Sequence, residues 1–192
     1  MRKWIRTLVG VLFLGVGVAL ATIPGMGTDP LAGFDEVLSK MSGITLGRVT
    51  SLVELLMIVF CLFLNRSSIG IGTLLSMFLV QFPIDLTALL VKRPDSMVLG
   101  LIMIVIGTAL IAIGAELIVS GKLGMGPYEA FIYTIGKLIN KKFSTAKYVC
   151  DGTFLILTIL FRGNVGIGTI IIFLLCPKLM EIFGKFIPEI KE

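Results

Sequence analysis

From Gly124 onward the chain repeats, in the same order, a succession of features that it has already presented from Gly25 onward. The turn Gly124-Met125-Gly126-Pro127 answers Gly25-Met26-Gly27. Pro30, Phe34, Lys40 and Glu54 recur 97 positions later as Pro127, Phe131, Lys137 and Asp151. Gly70-Ile71-Gly72-Thr73 and Asp85 recur 96 positions later as Gly166-Ile167-Gly168-Thr169 and Glu181. A slip of one residue in the offset is a single insertion or deletion, so the chain reads as a duplicated unit, residues 1–93 and 94–192. Two long copies suit a membrane fold of the transporter type better than a stack of short repeats.

The solvent for such a chain follows from its hydropathy. With 56% hydrophobic residues among 192 and a mean hydropathy of +1.04, it carries more apolar surface than one water-soluble core can hide. Runs long enough to cross a bilayer, about 20 residues each, fall at Trp4 to Ile23, Leu46 to Leu64, Ile69 to Leu90, Met97 to Ser120, Ser144 to Phe161 and Val165 to Phe186. None alternates with a period of two, so the spans are expected to be helices and not barrel strands. The first run follows Arg2, Lys3 and Arg6 and has the look of a secretory leader. It is expected to be retained, because Met97 to Ser120 leads into the second glycine turn as it leads into the first.

Six spans divide into three per copy, and an odd number forces the second copy to enter the membrane from the opposite face. The expected architecture is an all-α membrane protein of two inverted three-helix repeats, with a pseudo-two-fold axis in the membrane plane. Lysine and arginine accumulate on cytoplasmic ends. An N-inside start places Arg2, Lys3, Arg6, Arg66, Lys122, Lys137, Lys141, Lys142, Lys147, Lys178, Lys185 and Lys191 toward the inside, against Lys40, Arg48, Lys92, Arg93 and Arg162 outside. Both termini are therefore expected in the cytoplasm. The net charge of +5 is a topology signal and does not point to nucleic acid.

Each copy also holds one segment too short to span, Pro30 to Met41 and Pro127 to Ile139. Proline at the first helical position, with Asp29 as N-cap of the first, marks a helix start. Leu31, Phe34, Leu38 and Met41 would line one face of the first, and Phe131, Ile135, Leu138 and Ile139 one face of the second. Two placements are open. The helices could lie in the interface, or they could dip back as re-entrant half-helices whose positive N-termini face a central cavity, where a helix end favours an anion. In the second case Gly25, Gly27 and Pro30, with Gly124, Gly126 and Pro127, would form opposing gates. The two Gly-Ile-Gly-Thr motifs follow no soluble strand and lack a P-loop lysine, so nucleotide binding is not expected. Gly70, Gly72, Thr73, Gly166, Gly168 and Thr169 are expected to serve close helix packing, with the threonines bonding across the contact. Arg66 and Arg162 precede the motifs as snorkelling anchors.

Carboxylates in hydrocarbon cost about 2.5–3.5 kcal/mol each on insertion scales and usually mark function. Glu54 and Asp151 fall near mid-span at equivalent places, and Lys147, one helical turn before Asp151, is placed to pair with it. A cavity-lining role and a structural clamp between the copies are the two readings. Asp85 and Glu181, nearer span ends, suit solvated positions. Glu116 has no acidic counterpart, since the repeat sets Gly17 against it, and is a candidate for substrate choice or proton coupling, with pairing to Lys122 as the simpler role. Cys61, Cys150 and Cys176 lie in apolar runs without paired spacing and imply no disulfide. The absence of histidine excludes an imidazole relay, an imidazole metal site and a Ser-His-Asp triad.

On these residues the chain resembles the YczE-like bacterial membrane proteins and, more distantly, the YitT group. The likeness covers nearly the whole chain. It rests on the doubled Gly-x-Gly…Pro turn, Gly25 to Pro30 and Gly124 to Pro127, on the doubled Gly-Ile-Gly-Thr, and on the acid midway between them. Lys147 and Asp151 match the basic residue that members carry a turn before the second acid, while the short second turn and Tyr128-Glu129 depart from the pattern. The resemblance implies a polytopic protein of the bacterial cytoplasmic membrane and supplies no mechanism.

The reading is of a secondary transporter or exporter of a small molecule, with Glu54, Asp151, Glu116 and Lys147 along its pathway. The alternative is a non-transporting accessory protein or an integral substrate-binding subunit of a larger complex. No nucleophile, base and metal stand together, so an enzyme is not expected, nor a metal or other cofactor. The expected partners are the lipid bilayer, an unidentified small molecule, and a second copy or another membrane protein; nucleic acid is not among them.

Overall fold

The computed structural model describes residues 1–188. It is all-helical. Six spans are long and apolar enough to cross a membrane: α1 (Arg2–Thr22), α3 (Leu46–Leu64), α4 (Ile71–Leu79) continued by α5 (Gln81–Leu90), α6 (Met97–Ser120), α8 (Phe143–Leu160) and α9 (Ile167–Phe186). The two short helices are α2 (Pro30–Ser42) and α7 (Pro127–Leu138). The outward faces are apolar, with Leu56, Phe63, Phe78, Phe82, Leu89 and Leu90 all exposed. At about 25 cal/mol per Å² such a surface is costly in water and costs nothing against lipid tails. The chain is a multi-pass membrane protein. Lys191, included in the charge count above, lies outside the described residues, as do positions 189, 190 and 192 of the second copy.

The spans match expectation except in the third, which is two helices meeting at Val80. Pro83, in the first turn of α5, offers no N–H to the carbonyl one turn back, and the neighbouring bond from Ile84 N to Val80 O is stretched to 3.4 Å. Pro177 is buried inside α9 without ending it.

At the centre α1 crosses α6 through glycine. A Cβ on Gly17 would stand 2.7 Å from the Gly107 carbonyl oxygen, and one on Gly114 would stand 2.7 Å from that of Gly10. Without a hydrophobic drive between helices in lipid, this close backbone approach is how such pairs associate. Adding 97 carries Gly10 to Gly107 and Gly17 to Gly114, so the two contacts exchange under the repeat. The same register sets Ala19, not Gly17, opposite Glu116. Ala21, Ile104, Ala112, Ala115, Ile172, Cys176 and Met180 extend this core toward α9.

The short helices cross over: α2 packs on α8 and α7 on α3, each against the middle span of the other half. They are therefore buried on more than one side, and the single apolar stripe expected of them is corrected. Pro30, Leu31, Gly33, Asp35 and Val37 are buried in α2, and Pro127, Ala130, Ile132, Thr134 and Gly136 in α7. Met41, Leu138 and Ile139, placed on the stripes, are exposed.

The glycine motifs dock on the turns of the opposite half. Gly72 N donates to Leu123 O at 2.6 Å, and Gly168 N donates to Met26 O at 2.8 Å. The residues that follow those carbonyls, Gly27 and Gly124, share a left-handed backbone, φ 111° and 114°. A Cβ there would meet Thr169 Oγ1 at 2.5 Å or Thr73 Oγ1 at 2.7 Å. Gly27, and not Gly25, is thus the counterpart of Gly124. The threonines do not bond across the contact as expected. Thr73 Oγ1 accepts from Gly70 N (3.1 Å) and Thr169 Oγ1 from Gly166 N (3.4 Å). Each stands at the third helical position and reaches back to an amide that the helix leaves without a partner.

Candidate functional site

Where α1, α3, the α4–α5 junction, α6 and α9 are each near mid-length, they enclose a cavity of about 200 Å³ with Leu14, Val18, Glu54, Val80, Ile111 and Cys176 on its wall. The N-termini of both short helices open on it, α2 with Asp29, Leu31, Ala32 and Asp35, α7 with Gly126, Pro127, Tyr128 and Glu129. Each short helix thus begins at this cavity, in the interior of the helix bundle.

The helix ends themselves differ from the expectation of an anion site. Leu31 N donates to Asp29 Oδ1 at 3.0 Å, which makes Asp29 the N-cap the sequence indicates. The Glu129 carboxylate folds back over the start of α7, accepting from its own backbone N–H, and lies against Gly126. Both positive ends are already met by a carboxylate of their own helix, so neither is left for an anionic guest. Burial pushes the Asp29 and Asp35 carboxyls up to about 6 and raises that of Glu129.

Lys147 is the cavity's cation, and it is engaged. Its Nζ lies 3.1 Å from Asp151 Oδ2 and 3.3 Å from Oδ1, with both side chains buried. The Tyr128 hydroxyl donates to Asp151 Oδ1, and the Tyr128 ring lies under the ammonium, 4.8 Å from centroid to Nζ. Phe154 closes the back of the ring at 6.1 Å and touches Phe34 at 5.5 Å. Glu54 and Asp151, equivalent in sequence, have different surroundings: Glu54 is half-buried on the cavity wall, whereas Asp151 lies behind it, fully buried and held by Lys147 and Tyr128.

Glu116 belongs to a second cavity of about 330 Å³ at the end of the molecule that carries Arg2, with Tyr133, Lys142, Ser144, Glu181 and Gly184. Met180 lines both cavities and is 2% exposed, a thioether plug between them. The opposite end holds a third cavity of about 220 Å³, where Pro24, Met26, Arg93 and Asp95 meet. The structure thus brings Glu54 and Lys147 to one cavity, with Asp151 just behind, and sets Glu116 one cavity away. Gly70, Gly72, Gly166 and Gly168 serve the docking of the turns and lie outside the central wall.

Asp35, Tyr128 and Glu129 are cavity residues that the sequence pattern did not place on the pathway. The one signal for Asp35 was a carboxylate four residues after Leu31, on a helix face otherwise apolar. Glu129 was masked by its position in a first helical turn, where an acid is ordinary. Among the described residues no three Asp, Glu, Cys or His converge closely enough to hold a metal ion.

The chain is similar to "Uncharacterized protein YyaS" of Bacillus subtilis (strain 168), 28% identical over 178 residues that cover 91% of this chain and 89% of that protein. No solved structure matches. A family model matches residues 1–185, and on that match the chain belongs to the DUF6198 family, described as a family of unknown function.

Proposed function

We propose that the chain is a secondary transporter or exporter of a small molecule, built from two inverted halves, 1–93 and 94–192, in the bacterial cytoplasmic membrane. The carrying observation is the mid-length cavity on which the N-termini of one short helix from each half converge. A site at the crossing of two repeats, with discontinuous helices ending on it, is the arrangement through which alternating access works. The exchange of contacts supports the inverted relation: Gly10 with Gly114 and Gly17 with Gly107, and each turn docked on the opposite half's glycine motif. The lysine and arginine distribution supports cytoplasmic termini, which makes the Glu116 cavity the inner vestibule and Met180 its closed gate. Glu54, Glu116, Lys147 and Asp151 would be pathway residues, and the glycine turns would move as gates. No chemical step is part of this reading, in which Tyr128 and Lys147 hold Asp151 in place.

A cysteine in the cavity tests it. In a background with Cys61, Cys150 and Cys176 replaced by alanine, Val18→Cys is exposed to a membrane-impermeant thiol reagent in right-side-out and in inverted vesicles. A transporter presents its cavity to each face in turn, so labelling from both is expected. Labelling from one face alone, or from neither, refutes transport and favours the non-transporting accessory protein.

A further inference from the structure

We propose that the central cavity holds a small organic cation, a protonated amine with an apolar body, with Asp35 and Glu54 as its counter-charges. The inference rests on the reading of this cavity as the transport site and adds the class of cargo. Three features of the wall carry it.

The first is an unanswered acceptor. Asp35 is 1% exposed and lines the cavity, and its Oδ1 has no hydrogen-bond partner. A buried carboxylate oxygen without a donor is costly, and a cationic N–H donor in the cavity would remove that cost. The second is the balance of charge. Lys147 is the basic group on the wall and is neutralised by Asp151, while the two helix N-termini are met by Asp29 and Glu129. Asp35 and Glu54 are then in excess, so the wall carries more negative than positive charge and disfavours an anion.

The third is the remaining lining, which is mostly aliphatic and closed at one side by Tyr128. The acids do not converge on a point among the described residues, which disfavours a bare metal ion and leaves room between them for a carbon skeleton. At about 200 Å³ the cavity is smaller than the roughly 300–1,000 Å³ of a drug-sized site, so the cargo is a compact molecule.

Purified full-length protein in detergent is melted with benzylammonium, benzoate or benzyl alcohol, three probes of one shape and different charge. Benzylammonium at a hundredfold excess over its Kd is expected to raise the melting temperature by about 5–10 °C, and the other two to leave it unchanged. Asp35→Asn and Glu54→Gln should each weaken the effect at least tenfold, and Val18→Trp, which fills the cavity without altering charge, should abolish it. No shift with benzylammonium, an equal shift with benzoate or benzyl alcohol, or a shift that survives in all three variants overturns the proposal. The Val18→Cys labelling is independent of cargo charge. Labelling from both faces without an amine effect rejects the cation and keeps transport; an amine effect with labelling from one face does the reverse.

Discussion

Lys147 and Asp151 form a buried ion pair one helical turn apart on α8, Nζ to Oδ2 3.1 Å, with side chains 5% and 0% exposed. The pair holds the Tyr128 hydroxyl and ring against the central cavity, so a contact within one helix fixes a side chain of another. Asp151→Asn leaves the ammonium buried without its counter-charge, and a loss of about 3–5 kcal/mol is expected. In a chain of this size that lowers the melting temperature by roughly 10 °C. Lys147→Met with Asp151→Leu should recover most of it, because the hydrophobic pair leaves no charge behind. A single variant as stable as the parent would show that the pair contributes nothing.

The α1–α6 crossing tolerates no side chain at its closest points. A Cβ at Gly107 would lie 2.6 Å from Gly17 O and 2.7 Å from Ala21 N, both backbone atoms that cannot swing aside. Gly107→Ala should therefore cost about 1–3 kcal/mol by overpacking. Gly47 is the control: near the start of α3 a Cβ meets nothing within 4 Å, and Gly47→Ala should leave the melting temperature unchanged or raise it. Equal effects at the two positions would mean that the helices can part without loss.

The spans and the short helices were legible because both are written in local terms, a run of apolar residues or a proline after an N-cap such as Asp29. What the short helices do was not legible. Whether α2 lies on the surface or dips inward depends on α8, more than a hundred residues away, and no periodicity in α2 encodes that partner. The repeat pointed to Glu54 and Asp151 as equivalents but not to their divergence, which comes from Tyr128 and Lys147, whose counterparts under the 97-residue offset are Leu31 and Thr50. Thr73 and Thr169 show the opposite case, a capping geometry that is local and readable from a threonine at the third helical position.

Topology offers a direct test of the inverted relation. Ser42 ends α2 and Lys141 lies just past the end of α7, and both are exposed. In a cysteine-free background, Ser42→Cys should react with an impermeant reagent from outside intact cells and Lys141→Cys only after the inner face is opened. Reaction of both from the same side would contradict the inverted arrangement and the charge distribution together.

The buried carboxyl of Asp35 makes the empty protein sensitive to pH. Its pKa rises from 3.8 to about 6 on folding, mainly because burial disfavours the charged form. The folded chain therefore keeps a proton that the unfolded chain has released. The stabilising contribution is complete below pH 3.8 and is lost as pH rises through about 6. Asp29, raised for the same reason, acts in the same direction. Over that window the Asp35 shift is worth up to about 3 kcal/mol, so Asp35→Asn, which carries no charge to bury, should raise the melting temperature at pH 7.5 and change it little at pH 4. The two melting curves against pH should converge on the acid side and separate above pH 6. A bound ammonium would offset the same cost by pairing with the charged form, so benzylammonium should flatten the parent's curve and change the variant's much less. A parent curve that is flat across this window, with or without the amine, would mean that Asp35 is already paired or reached by water, and would remove it from the site.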